Sequence, residues 1–209
     1  MPGSMPVARF IVASVVALVA GHLVDGWAYI HLSFPNFHTS EFGRWFRVFG
    51  FLPLWMAAAL LFVLHDWPRG APGARGPALW RGLLVLGAVA AAGLLAEVLK
   101  IVLRRERPWT HDGEYFFRPW SPDPLYTGGL ALPSSHVLLA AAGCLVLAKL
   151  FPRTRYVWYG FIVACAFSRV ASRAHFVSDI VLATIAGVVV TSLMWKWYAR
   201  KADPTAGLP

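Results

Sequence analysis

Six stretches of the chain are almost wholly apolar, and the polar residues gather between them instead of alternating within them. The stretches are 7–27, 46–64, 82–103, 134–151, 156–173 and 177–197. A helix needs about 20 mostly apolar residues to cross a bilayer, and it satisfies its own backbone polar groups there. The pattern predicts an all-α fold, a polytopic membrane helical bundle with about six transmembrane helices. The fifth stretch carries the weakest signal, because it is short and ends among arginines. Gly and Pro cluster at 66–77, as a turn between the second and third spans requires. Residues 28–45 are rich in aromatics and suit either an interfacial segment or an ordinary loop. No repeat or composition shift marks a second domain, so 1–209 reads as a single integral-membrane domain. Met1–Ser4, before Met5, reads as a cloning scar and is set aside from the fold. The run beginning at Arg9 reads as an uncleaved first span, since no small-residue cleavage site follows before Asp25.

Composition sharpens this picture. The 209 residues are 58% hydrophobic and only 14% charged, with a mean hydropathy of +0.58. A soluble domain averages about 25% charged residues. The net charge of +9 does not point to nucleic acid, because the basic residues sit in short loops and at span ends, where they suit anionic lipid. Six spans put both ends on one side, with Arg9, Arg69, Arg75, Arg81, Lys149, Arg153, Arg155, Lys196, Arg200 and Lys201. The other side holds Arg44, Arg47, Arg104, Arg105, Arg118 and Arg173, together with Lys100, Arg107 and Arg169, which have a chemical reason to be there. The bias places the termini in the cytoplasm and the outer loops in the periplasm or exterior of a bacterial inner membrane. Cys144 and Cys165 lie inside apolar runs as small packing residues.

Three separated pieces carry the candidate chemistry, all within 100–179. Lys100 and Arg107-Pro108 close the third span. They are seven residues apart, so both lie along one helical face if the helix continues that far; Pro108 disfavours helical geometry at Arg107. A charge near the bilayer centre costs about 2.5–3.5 kcal/mol, so Lys100 either snorkels to the interface or has a partner. Glu97, three residues earlier, suits an ion pair with it or a polar contact to another helix. Pro133-Ser134-Ser135-His136 opens the fourth span with Ser134 as a candidate N-cap, and free N–H groups at a helix start attract anions. His175 and Asp179 are four apart and share a face if helical, so the carboxylate fixes the imidazole tautomer and stabilises its cation. Arg169, with Ser168, precedes them and folds back towards the same pocket. Arg104 and Arg173 are extra cations for a second phosphate, an acidic headgroup or ordinary anionic lipid. No third ligand set accompanies the His/Asp pair, so no metal is expected. The outward loop 109–132 carries Trp109, Tyr115, Phe116, Phe117, Trp120 and Tyr126, which suit the headgroup belt.

The pattern K-x6-R-P, then P-S-x-H, then S-R-x5-H-x3-D resembles the type 2 phosphatidic acid phosphatase superfamily. That family includes bacterial lipid phosphatases, glucose-6-phosphatase and vanadium-dependent haloperoxidases. One position departs from its pattern: Ser135 stands where Gly is usual, and a side chain there narrows the phosphate pocket or alters the backbone approach. The resemblance implies a metal-independent phosphatase without cofactor, acting on a lipid phosphate or diphosphate. It implies that His175 attacks phosphorus to form a phosphohistidine, oriented by Asp179. His136 would protonate the leaving oxygen and then activate water. Lys100, Arg107, Arg169, Ser134 and Ser135 would hold the phosphoryl oxygens, with Glu97, Arg104 and Arg173 in support.

Three rivals share these residues. A phosphotransferase would pass the phosphoryl group from the same phosphohistidine to another lipid. A vanadate-binding haloperoxidase uses a similar oxyanion pocket, but such enzymes are typically large and soluble. A non-catalytic lipid-binding or transport protein would line a path through the membrane with its charges, whereas these gather at one face. Phosphatidate, phosphatidylglycerol phosphate, undecaprenyl diphosphate and lipid A phosphates all suit such a site. Small residues within the helices serve packing inside a monomer as readily as between subunits, so they set no oligomeric state.

Overall fold

The structure, a computed structural model, describes residues 6–34, 36–67, 75–120 and 123–202, except for the side chains of 75–78 and 202. Met1–Ser4, Arg69, the side chain of Arg75 and most of the 66–77 turn lie outside the described residues. Among the described residues seven α-helices follow one another: α1 (Val7–His31), α2 (Glu41–Arg47), α3 (Leu52–Asp66), α4 (Arg75–Leu103), α5 (Ser135–Leu150), α6 (Arg155–Ala171) and α7 (Val177–Ala202). There is no strand among the described residues, only the isolated bridges Arg105–Phe117 and Glu106–Leu130 in the loop after α4.

Six of these helices, α1, α3, α4, α5, α6 and α7, are 15 residues or longer and make up the bundle. By length and composition, three helices can each cross a membrane: Val7–His31, Leu79–Leu103 and Val177–Lys201. The bent pair Glu41–Gly50 and Leu52–Asp66 makes a fourth if counted as one span. The stretch expected as a single helix over 46–64 is therefore corrected: it breaks at Phe51, with a bend of 58°. Pro53 sits in the first turn of α3, where its missing N–H costs nothing, and its ring obstructs a helix running in from upstream. Phe51 is extended (φ −95°, ψ 126°).

The shorter α5, 16 residues long, is buried along nearly its whole length, with Val137–Cys144 and Val146–Ala148 inside the bundle. Its run of Ala and Gly lets α3, α4, α6 and α7 approach closely, as membrane helices do where small residues meet. At Gly143 an added Cβ would lie 2.5 Å from three ring atoms of Trp55. That indole is 1% exposed and pinned by its Nε1–H donating to the Phe49 carbonyl at 2.8 Å. Overpacking of this kind costs about 1–3 kcal/mol. Gly143→Ala is expected to lower the melting temperature in detergent; an unshifted melt would count against so tight a seat. The outward faces of α1 and α3 remain apolar and exposed, with Val12, Val16, Leu23, Leu60 and Leu64 among them, which suits contact with lipid.

Candidate active site

The chain direction of each helix brings the three motif pieces to one end of the bundle. There α4 and α6 finish and α5 and α7 begin, while the opposite end holds the start of α1 and the finish of α7. The end of α1 joins the site end, with Phe34 N–H donating to the Ala171 carbonyl at 3.0 Å. The turn before α3 lies against α5: an added Cβ on Gly50 would be 2.7 Å from the His136 Cα.

Two arginines from the motifs meet here with no counter-ion. None of the ion pairs among the described residues includes Arg107 or Arg169. The Nε of each is buried without a hydrogen-bond partner, and so is the hydroxyl of Ser134. Burial pushes the Arg107 guanidinium below its ordinary value. Buried donors left unpaired are costly, and these lie close enough together for Arg107 to act on Arg169 and for both to act on His136. Ser134 occupies the N-cap position of α5 but makes no side-chain cap bond, so its hydroxyl stays unengaged beside the helix's free N–H groups.

A further arginine joins them that sequence spacing did not single out. Arg47, at the end of α2, stacks its guanidinium over Phe51 at 5.7 Å, and Phe51 meets the His136 ring edge-on at 5.3 Å. Its Nε is likewise buried and unpartnered. The arginines whose charges act on His136 are Arg169, Arg47 and Arg107. Only a charge at the edge of the second apolar stretch marked Arg47 in the sequence. Loss of one charge-assisted hydrogen bond costs about 1.5–3 kcal/mol, so Arg47→Ala is expected to lower kcat/KM for a phosphate ester by roughly 10- to 100-fold. Steady-state kinetics in detergent would check it, and an unchanged kcat/KM would remove Arg47 from the pocket.

Lys100, 8% exposed, donates to Glu97 Oε1 at 3.0 Å, and Ser135 Oγ donates to the same oxygen at 3.2 Å. The side chain that stands in place of the usual Gly is thus turned to Glu97. Lys100 and Arg107 do not share a helical face. The helix ends at Leu103, where Arg104 takes a left-handed conformation (φ 54°) and its N–H closes on the Lys100 carbonyl at 2.9 Å. Arg107 follows in extended backbone.

Arg104, expected on that face among the supporting cations, turns into the outer loop instead. Its guanidinium donates to the carbonyls of Arg118, Pro119 and Pro124 at 2.9, 2.7 and 2.6 Å and covers Trp120. Arg173 is exposed and lies over Tyr29 at 4.8 Å, beside a cavity of about 330 Å³ that Trp109 and His38 also line. The loop itself is braced by Glu106, which accepts from Arg118 Nε at 2.6 Å and faces His111 Nε2 at 2.8 Å. Burial pushes this carboxyl up, but those two partners outweigh it and hold the group below its ordinary value.

His175 is not on a helix with Asp179. It precedes α7, whose first turn holds Asp179, and the Asp179 Oδ2 accepts from the Phe176 N–H at 2.8 Å. The tautomer is fixed differently from the sequence expectation: His175 Nδ1 faces the Ala131 carbonyl at 2.9 Å and Asp179 Oδ2 only at 3.6 Å. Ala131 is held in turn by its N–H donating to the Arg105 carbonyl at 2.7 Å. With Nδ1–H directed to that carbonyl, Nε2 is the basic nitrogen. Burial, partly countered by Asp179, lowers His175 to about 4, so the imidazole is neutral at physiological pH.

Spacing also missed Arg105. It is 1% exposed, and its Nη2 donates to Asp179 Oδ1 and to Ser178 Oγ at 2.8 Å. The guanidinium faces the rings of Tyr115 and Phe176 at 5.0 Å each. Asp179 thus bridges a guanidinium and the imidazole. The sequence signal was the carboxylate itself, since a buried Asp near a membrane interface calls for a cation. Among the described residues, no group of three or more His, Cys, Asp or Glu is placed to hold a metal ion.

Over 123 residues, 58% of its length, this chain is 32% identical to a lipid A 1-phosphatase of Rhizobium etli and 31% identical to one of Rhizobium johnstonii. The matched region is 52% and 49% of those proteins, so the chain spans about half the length of the curated relatives it matches. The crystal structure of a transmembrane PAP2-type phosphatidylglycerolphosphate phosphatase from Bacillus subtilis superposes with a TM-score of 0.65. That likeness covers 95% of this chain and 98% of the other at 19% identity, and is a likeness of fold. The PAP2 superfamily matches residues 81–203, which include every motif position from Lys100 to Asp179. The chain is an integral membrane protein that belongs to the PAP2 superfamily.

Proposed function

We propose that this protein is a phosphatase of lipid phosphates that works through a phosphohistidine on His175 and needs no metal. The observation that carries the reading is the convergence of unpartnered buried donors, Arg107 Nε, Arg169 Nε and Ser134 Oγ, on a pocket that also presents two histidines. In the first step the Nε2 lone pair of neutral His175 attacks phosphorus in line with the leaving oxygen. His136, whose ring nitrogens have no hydrogen-bond partner among the described residues, enters the step as the imidazolium, stabilised by the bound phosphate's negative charge; it gives the leaving oxygen a proton and, once neutral, takes one from the attacking water. The arginines and the α5 N–H groups hold the equatorial oxygens, where charge develops. Lys100, oriented by Glu97, adds a cation at the rim.

The described residues surround one core along α5, and the whole chain reads as one domain. The Lys and Arg distribution supports termini in the cytoplasm of a bacterial inner membrane and a site facing the periplasm or exterior. The similarity to proteins named lipid A 1-phosphatase supports a lipid A-type 1-phosphate as the first substrate to offer, with phosphatidylglycerol phosphate and phosphatidate next. Phosphate release by the purified protein in detergent containing EDTA tests the reading. Release from at least one of these lipids is expected, and inactivity towards all of them would contradict it.

A further inference from the structure

Behind Asp179 lies a second buried carboxylate for which phosphate binding has no use. Asp25, in α1, is 2% exposed. Its Oδ1 accepts from the Ser178 N–H at 2.9 Å, and its Oδ2 from the Ser178 hydroxyl at 2.5 Å and the Tyr115 hydroxyl at 2.7 Å. Because Ser178 spends its one hydroxyl proton on Asp25, its oxygen is left to accept from Arg105 Nη2 at 2.8 Å. The same Arg105 nitrogen donates to Asp179, and Asp179 faces His175. Every donor and acceptor direction from Asp25 to Asp179 is thereby set. Burial and the Asp25 carboxylate push the Tyr115 phenol up, so it remains a donor.

The charges in this chain of contacts do not cancel. Two carboxylates face one guanidinium, which leaves one negative charge in surplus within this chain of contacts; Arg169 and Arg107, which also act on His175, are the cations left for the phosphoryl group. Arg105 already offsets one of the two carboxylates, so Asp179 alone would present His175 with a neutralised pair. We infer that Asp25 is a positioning residue whose charge stabilises the cation formed on His175 during phosphoryl transfer. The inference rests on the phosphohistidine reading. As the Nε2 lone pair forms the N–P bond, the P–O bond to the leaving group breaks, and that oxygen takes the proton of His136. The imidazole keeps its Nδ1 proton on the Ala131 carbonyl and becomes cationic, which brings the buried group to neutrality. In surroundings of low dielectric such a balance matters far more than in water. It also gives a chemical reason for α1, which lies outside the residues matched by the family, to be tied to the first turn of α7.

The test uses the full chain in detergent, with kcat, KM and melting temperature measured for each variant. Asp25→Asn is expected to lower kcat by ten- to a hundredfold with KM within about twofold, and Asp25→Glu to regain most of that loss. A wild-type kcat in Asp25→Asn, a matching change in KM, or no recovery in Asp25→Glu would overturn the inference. Ser178→Ala removes the link but no charge, and it carries the test even if Asp25→Asn does not fold. Its kcat is expected within about threefold of wild type, and a tenfold loss would show that the link, not the charge, matters. His175→Ala, run alongside, separates the two levels of the argument. Activity retained there would remove the phosphohistidine reading itself, whereas an inactive His175→Ala beside a fully active Asp25→Asn would remove only this inference.

Discussion

His175→Ala is expected to abolish turnover, by more than about 10⁴-fold in kcat, the scale on which enzymes lose rate when a nucleophile acting as part of a unit is removed. The effect should fall on kcat alone. The arginines and Ser134 that hold the phosphoryl group are untouched by the substitution, so KM for a lipid phosphate should change little. The backbone consequence is also small, because His175 N–H still donates to the Arg169 carbonyl at 3.3 Å. The Ala131 carbonyl loses the one ring donor it has, at 2.9 Å, which trims stability modestly. Steady-state kinetics on folded protein would check the prediction, and residual kcat within a hundredfold of wild type would mean that another group attacks phosphorus.

Arg105→Ala is expected to be the most destabilising single substitution at the site. It would leave Asp179, fully buried, and Asp25, 2% exposed, without the cation between them. Removing one partner of a buried ion pair costs about 3–5 kcal/mol, because the remaining charge is uncompensated. The rings of Tyr115 and Phe176, in T-shaped contact with each other at 4.9 Å, would also lose the guanidinium that both face. The apparent melting temperature in detergent should fall by roughly 10 °C or more. Arg105→Lys should lie between, since an ammonium keeps the charge but not the planar fork or the stacking. A melt unchanged in Arg105→Ala would contradict the pairing.

Much of this site was legible along the chain because its residues lie at the ends of apolar stretches, where hydropathy alone locates them. Lys100, Ser134, His136, Arg169 and Asp179 each fall within a turn of such an end, so the ends of successive helices bring them together. Local backbone was harder to read. The run Arg104-Arg105-Glu106-Arg107 was taken on helical spacing, which selects Arg104. The helix ends one residue earlier, and the left-handed turn at Arg104 hands the inward direction to Arg105. The same kind of error put His175 and Asp179 on one helix, when His175 stands before its start and finds the Ala131 carbonyl instead. Asp25 was invisible for another reason. It pairs with Ser178 across 153 residues of sequence, and no local pattern reports a contact of that range. A lone carboxylate at the edge of a membrane span was nevertheless a signal by itself, since such a charge needs a partner. Arg47 offered only the same hint, and the bend at Phe51 that carries it to His136 depends on tertiary packing.

The central claim is that phosphorus becomes bonded to His175. Rapid quenching of the purified protein with a lipid phosphate radiolabelled in its phosphoryl group, followed by peptide mapping, tests this directly. A label that is stable in alkali, lost in acid and confined to the peptide containing His175 is the predicted result. Product formed in a single turnover with no labelled protein, or a label on any other residue, would contradict it.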